Sequence, residues 1–304
     1  MEIIYIITRQ TLVMFLYMLA GFCLFKAGRI TSSGSKDMAT LLLWLVIPAV
    51  LINSFCVDFS AEKLKTLFLS SLLGLLALGT AILIGHALFR TSPIDNFAAA
   101  FSNAAFIGIP LVQASIGQEA VFYVVGIIAA LNILQWTYGV RILTGKKQAA
   151  GIRNILLNPI MVGTIIGLLL FVSGLGTRLP PVISTALRGV SSLNAPMAML
   201  ILGGYLAQTN IRSMLLTARL YWLSAVRLLL IPITTLLLFR LLPLSYEMKM
   251  SVFIAAATPV GANVAVYAQI NDLDYPYACQ TVALSTVCSI LTVPLVLLCA
   301  GTLL

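Results

Sequence analysis

Side chains suited to metal or acid–base chemistry are scarce in this chain of 304 residues: one histidine, His86, five cysteines and nine acidic residues. Cys23, Cys56, Cys279, Cys288 and Cys299 stand in or beside apolar runs with no short paired spacing. They read as small hydrophobes rather than a disulfide framework or a ligand set. Neither His-Glu-x-x-His nor Gly-x-Ser-x-Gly occurs, and no two carboxylates share an apolar run, so an enzyme would lack a catalytic constellation. We assign no catalytic and no metal residue and expect no cofactor. Asp37, Asp58, Glu62, Asp95, Glu119, Glu247, Asp272 and Asp274 all read as loop or edge positions. A carboxylate site for sodium or protons at the centre is therefore not visible. Ion coupling, whether to Na+ or H+, would fall to carbonyls, to hydroxyls such as Ser102, Ser285 and Thr286, or to an edge carboxylate.

Charge itself is short. Only 9% of residues are charged against 61% hydrophobic, with a mean hydropathy of +1.06, which excludes an ordinary soluble domain and leaves an integral membrane protein. A bilayer crossing needs about 20 apolar residues. Ten such stretches run approximately Thr11–Phe25, Met38–Val57, Leu67–Phe89, Phe97–Ile116, Val121–Leu143, Ile155–Gly174, Val182–Leu206, Met214–Leu238, Met250–Ile270 and Tyr277–Leu303. Glu2 and Arg9 bracket an apolar start with no basic leader, so the first segment is expected to stay.

Ten spans divide into two groups of five. An odd group re-enters the membrane in the opposite orientation, which predicts two inverted five-helix repeats, residues 1–144 and 155–304, joined by a basic linker over 145–154. Loops after odd-numbered spans hold Lys26, Arg29, Lys36, Arg90, Arg141, Lys146, Lys147, Arg153, Arg212 and Arg219. The other side holds Lys63, Lys65, Arg178, Arg240 and Lys249, with Arg9 and Arg188 less readily placed. The positive-inside rule then puts the linker in the cytoplasm and both termini outside. Membrane-edge cations also account for the net charge of +9, so no nucleic-acid partner is needed.

What the chain does have is proline at repeating intervals inside apolar runs. Ile47-Pro48 and Ile109-Pro110 lie 62 positions apart, Ala195-Pro196 and Thr258-Pro259 63 apart, and the halves are offset by 148 or 149 residues. A proline in lipid frees a carbonyl that protein or a water-filled cavity must satisfy, and matched breaks in two halves point to a transporter's binding site. In the fourth span Asn103, Gly108 and Pro110 follow small residues, which invites an unwound segment. Thr258-Pro259-Val260-Gly261-Ala262-Asn263 is the counterpart in the ninth. Two such broken helices crossing would turn free amides and positive dipole ends toward an anion.

Other polar groups in the spans keep two readings. Asn53 and Asn194 can hydrogen-bond between helices or meet a substrate. Asn132 in the fifth span can face a pocket while Gln135 faces a neighbour and Trp136 joins an aromatic belt. Arg227, near the middle of the eighth span, can snorkel, pair with a carbonyl or meet a substrate carboxylate. His86 would need a partner to relay protons and reads as a lone core or interfacial histidine.

Several stretches carry a family resemblance: Ser102 to Val112, Leu131 to Gly139, the Asn158-Pro159 opening of the sixth span, Thr258-Pro259 through Ala268, and Leu284-Ser285-Thr286 to Pro294. In this order, across essentially the whole chain, they resemble the auxin efflux carrier family, which includes plant auxin exporters and bacterial carriers of malate, malonate or other organic anions. The resemblance implies a ten-helix, all-α membrane fold similar to bile-acid sodium symporters. Spans one, two, six and seven would form a scaffold, and spans three to five with eight to ten a transport domain in elevator-like motion, its broken helices crossing at Pro110 and Pro259. Asn103 and Asn132 carry over as substrate contacts, with Gly108, Pro110, Pro259, Gly261 and Asn263 around them and Asn53, Asn194 and Arg227 as further candidates. The expected protein is a secondary carrier of small organic anions of the malate or malonate type, in a bacterial inner membrane, with a homodimer through the scaffold as its assembly. The long cytoplasmic loop of plant members has no counterpart here, which argues against auxin as cargo. A sodium-coupled symporter of bulkier anions is the alternative, although such proteins call for an acidic residue where this chain has Val260 to Asn263.

Overall fold

The computed structural model describes residues 2–145, 153 and 156–304, without the side chains of 2–8, 269 and 270. Apart from Gly145 and Arg153, the basic linker expected over 145–154 lies outside the described residues. The chain is helical throughout, with no strand among the described residues. Its principal helices are α1 (Glu2–Lys26), α2 (Ser32–Ser54), α3 (Ala61–Phe89), α4 (Pro93–Ala100), α5 (Ala104–Ser115), α6 (Gln118–Thr144), α7 (Pro159–Val172), α8 (Pro181–Gln208), α9 (Ala218–Arg240), α10 (Tyr246–Ala256), α11 (Asn263–Ile270) and α12 (Tyr275–Leu303). Seven of them, all but α4, α5, α7, α10 and α11, are long and apolar enough to cross a membrane, the qualifying part of α1 being Arg9–Lys26. α5 and α7 are shorter apolar helices. The protein is thus an all-α membrane protein.

Three prolines in these helices are absorbed by a common device. The turns Leu42–Val46, Ala104–Gly108 and Val226–Leu230 are π-helical, and each ends two residues before a proline: Pro48, Pro110 and Pro232. Just ahead of each ring, Ile47, Ile109 and Ile231 donate to Leu42, Ala104 and Val226, five residues back. The wider turn makes room for the pyrrolidine, which would otherwise clash with the carbonyl four residues before it. Pro196 sits just past a tightened step, where the Leu193 N–H donates to Val190, and α8 continues through it. Three of the four prolines expected to break a helix therefore do not.

Two helices are broken, one at Pro259 and the other away from any of these prolines. Between α4 and α5 the backbone extends at Phe101 (φ −112°, ψ 114°) and restarts from Asn103. Between α10 and α11 it is irregular over 257–262. Both breaks sit inside a shell of packed helices, as lipid requires of irregular backbone.

α1 lies along α8, and α2 contacts α7 and α8; α3 packs on α4 and α6, α10 on α3 and α6, and α12 on α9 and α11, while α1 also meets α5 and α12 and α7 meets α6. The α1–α8 contact is close because Gly203 has no side chain: a Cβ there would collide with the Met18 carbonyl. Small residues at this seam let two backbones approach where oil-like lipid supplies no driving force of its own.

Candidate functional site

The two breaks meet. Asn103 N–H donates to the Pro259 carbonyl at 2.9 Å, and Gly261 N–H to the Phe101 carbonyl at 3.0 Å, forming one antiparallel bridge between Ser102 and Val260. Val260 N–H donates to Ser285 Oγ at 3.2 Å, which ties the crossing to α12. The crossing on the fourth-span side is thus at Phe101–Asn103 and not at Pro110. That corrects the expectation, and the physical reason is the π-turn, which keeps the backbone at Gly108 and Pro110 helical. Pro259, by contrast, lies in the break itself.

Two peptide N–H groups thus find their acceptors across the crossing, Asn103 on Pro259 and Gly261 on Phe101. Gly261 fits because a Cβ would stand 3.0 Å from the Ser102 carbonyl oxygen and 3.2 Å from that of Phe101. Gly108 packs its bare face on α10, where a Cβ would be 3.1 Å from Ala255 Cα. It is a packing position and does not line the cavity described next.

A cavity of about 30 Å³ lies against the crossing, bounded by Ser102, Asn103, Ala104 and Ala105, by Gly261, Ala262 and Asn263, by Asn132 and Gln135 of α6, and by Leu43, Phe106, Ile128, Leu131 and Ile160. The first two groups are the N-terminal ends of α5 and α11. The first amides of a helix have no intrahelical acceptor and carry the positive end of its dipole, about half an elementary charge. Asn263 Nδ2 donates to Gln135 Oε1 at 2.7 Å, which turns the Gln135 amide nitrogen outward. That nitrogen, with Nδ2 of Asn103 and of Asn132, is buried without a hydrogen-bond partner. An unpaired buried donor costs about 1–3 kcal/mol. Three around one cavity, with no carboxylate in its lining, suit a guest that offers acceptors.

At about 30 Å³ the space has room for two or three water molecules, taking roughly 10–15 Å³ for each. Two larger cavities adjoin it. One of about 230 Å³ shares Asn132, Ile160, Asn263 and Leu43 and continues past Trp136 and Tyr267, whose rings meet edge-to-face at 5.3 Å, to Asn158 and Pro159. The other, about 300 Å³, shares Leu43 and Ala262 and reaches Ser32 and Lys36. Both run to the end of the molecule where α2 and α7 begin. At the opposite end a cavity of about 570 Å³, lined by Glu62, Lys63, Glu119 and Glu247, includes none of the crossing residues.

The remaining candidates fall outside the cavity. Asn194 is buried behind it, its Nδ2 3.4 Å from the Ala105 carbonyl. Asn53 is half-buried on α2 and does not reach the crossing, because its turn of helix faces α7 and α8. His86 is exposed near the end of α3. Arg227 neither snorkels nor reaches the cavity: its guanidinium donates to the carbonyls of Thr258 (3.1 Å), Ala99 (3.0 Å) and Ala256.

Two residues do more than their sequence reading assigned. Gln135 faces a neighbour as expected, accepting from Asn263 of α11, and it also lines the cavity; its spacing of three from Asn132 on one helix was the available signal. Asp95, read as a loop or edge residue, stands in the first turn of α4 but is fully buried there. It accepts from Arg219 Nε at 2.5 Å and from the Tyr277 hydroxyl at 2.7 Å. Among the described residues no cluster of three His, Cys, Asp or Glu could hold a metal ion.

A family model described as membrane transport protein matches residues 6–297. No curated protein matches the chain.

Proposed function

This chain belongs to the auxin efflux carrier family of membrane transport proteins, and from that premise we propose that it is a secondary carrier of small organic anions of the malate or malonate type. The observation that carries this reading is the set of donors around the crossing cavity: three amide N–H groups without a partner and two helix N-termini, with no acid in the lining. A carboxylate accepts several such bonds at once, and hydrogen bonds to an ionised acceptor are roughly twice as strong as neutral ones. Asn103, Asn132 and Gln135 would grip the anion, with Gly261 and Asn263 holding the backbone and Gln135 in place.

The packing is compatible with alternating access by an elevator-like motion. The α1, α2, α7 and α8 set would serve as scaffold, and the remaining helices, which contain both breaks, as the body that moves elevator-fashion. On this reading the chain forms two inverted five-helix repeats, in which α4 with α5 and α10 with α11 count as one span each, and a homodimer would form through the scaffold. The end reached by the two adjoining cavities carries Lys26, Arg29, Lys36 and Arg141, which supports a cytoplasmic assignment for it and outward-facing termini in a bacterial inner membrane. The cargo would then meet the site from the cytoplasm in this conformation and be released after the crossing moves toward the opposite side.

The test is uptake of labelled malate and malonate by proteoliposomes holding the purified protein, with and without an imposed sodium or proton gradient. Saturable uptake that is competed by unlabelled dicarboxylate and absent from empty vesicles is expected. Uptake indifferent to Asn103→Ala and Asn132→Ala together would remove the cavity from the mechanism.

A further inference from the structure

Arg227 is the largest fully buried side chain, 1% exposed, on the π-turn of α9. All three of its nitrogens are engaged, and each donates to a backbone carbonyl at the crossing. Ala99 belongs to the last turn of α4, and Ala256 closes α10, with Thr258 two residues beyond. The guanidinium thus binds the C-terminal ends of both half-helices, while the N-terminal ends of their partners face the cavity on the other side of the bridge. No carboxylate is paired with it: the one ion pair among the described residues joins Arg219 to Asp95.

A buried cation with no acid beside it is expensive unless another negative field answers it. Two helix C-termini supply about half an elementary charge each, which together balance one guanidinium. Without it, the crossing would present two negative ends beside two positive ones, and the attraction of the N-termini for an anion would be largely cancelled. Carbonyls released at half-helix C-termini are also the ligands that broken-helix transporters offer to a sodium ion or proton.

We propose that Arg227 is a tethered counter-ion, occupying with its side chain a carbonyl cage that would otherwise take a dissociable monovalent cation. It is a positioning residue: it touches no guest, but keeps the cavity anion-selective at every stage of the cycle without a bound metal ion. Two consequences follow. The wild-type protein has no sodium requirement for a properly charged crossing, and removing the side chain converts the cage into a site that accepts guanidinium or sodium. The anion selectivity alone rests on the function proposed above.

Thermal unfolding of the detergent-purified full chain tests this without any organic substrate, at constant ionic strength set with choline chloride. The wild type is expected to melt at the same temperature in sodium as in choline. Arg227→Ala should melt several degrees lower in choline and recover at least half of that loss, saturably, in low millimolar guanidinium, with a smaller recovery in sodium. Arg227→Lys should keep most of the wild-type stability, whereas Arg227→Met, of similar bulk but neutral, should not. If Arg227→Ala does not accumulate folded, the Lys and Met variants decide.

Equal melting of Lys and Met variants would show that volume and not charge fills the place. Loss in Arg227→Ala that no cation restores, or a wild type stabilised by sodium over choline, would overturn the proposal. Malate uptake enters none of these arms, so a failed transport assay and a failed rescue remain separate results.

Discussion

Pro110 and Pro259 occupy matching places in the two halves of the sequence, yet one lies inside a helix and the other inside a gap. At Pro110 the Ile109 N–H reaches back to Ala104, and the helix widens and continues. At Pro259 the carbonyls of Ala256, Thr258 and Pro259 itself are taken by Arg227 and by the Asn103 N–H, and the Gly261 N–H is taken by Phe101. A proline removes one hydrogen bond in either setting. Whether the helix then parts depends on whether something outside it claims the neighbouring peptide groups. The fourth span parts nine residues before Pro110, at Phe101, because that is where the other break can bond to it.

The strongest way to sharpen this comparison is to replace both prolines. Pro259→Ala should lower malate uptake roughly tenfold or more, a change worth about 1.4 kcal/mol or above, because it lets α10 compete for the carbonyls of the crossing. Pro110→Ala should change uptake less than about twofold, since the π-turn already accommodates that site. Equal losses would mean that proline, not its partners, makes the gap.

Next come the cavity amides. Asn103→Ala, Asn132→Ala and Gln135→Ala each remove one donor, which at about 1–1.5 kcal/mol per hydrogen bond raises KM for malate roughly five- to tenfold. Asn53→Ala, on α2 away from the crossing, should leave KM unchanged. A rise in KM there as large as for Asn103 would break the distinction between lining and remote amides.

The smallest expected effect is Gly261→Ala, where a methyl 3.0 Å from the Ser102 carbonyl pushes the bridge apart by a few tenths of an ångström. A loss of about 1 kcal/mol, or about 2–4 °C in melting temperature, is expected. Unchanged melting would show that the crossing has slack the other half of the comparison lacks.

Hydropathy made the membrane character legible because each apolar run announces itself in its own residues. The crossing was legible in part: Asn103, Pro259, Gly261 and Asn263 were singled out by amides and small residues around a proline. The position of the first break was not, because the hydrogen bond that holds Phe101 open comes from Gly261, 160 residues further along. Asp95 was opaque for the same reason. Beside Ser92 and Pro93 it looks like a loop residue, but Arg219 and Tyr277, 124 and 182 positions away, enclose it. Gln135 and Asn132 look alike on α6 until Asn263 takes the Gln135 oxygen and leaves its nitrogen bare. Arg227 stood out as a cation in an apolar span, yet which of three outlets it used depended on carbonyls from two other helices.

The widened turns ahead of Pro48, Pro110 and Pro232 have an evolutionary corollary. Each loop of π-helix spends an extra residue on one revolution, so everything beyond it is turned by about 100° against an unbroken α-helix. Loss of the ring alone would keep the surplus residue and the register it sets, whereas loss of that residue alone would scramble which flank meets protein and which meets lipid. Single-residue deletions within the five positions before each proline should therefore be rare even in relatives that exchange the proline, a pattern that a comparison of relatives can look for.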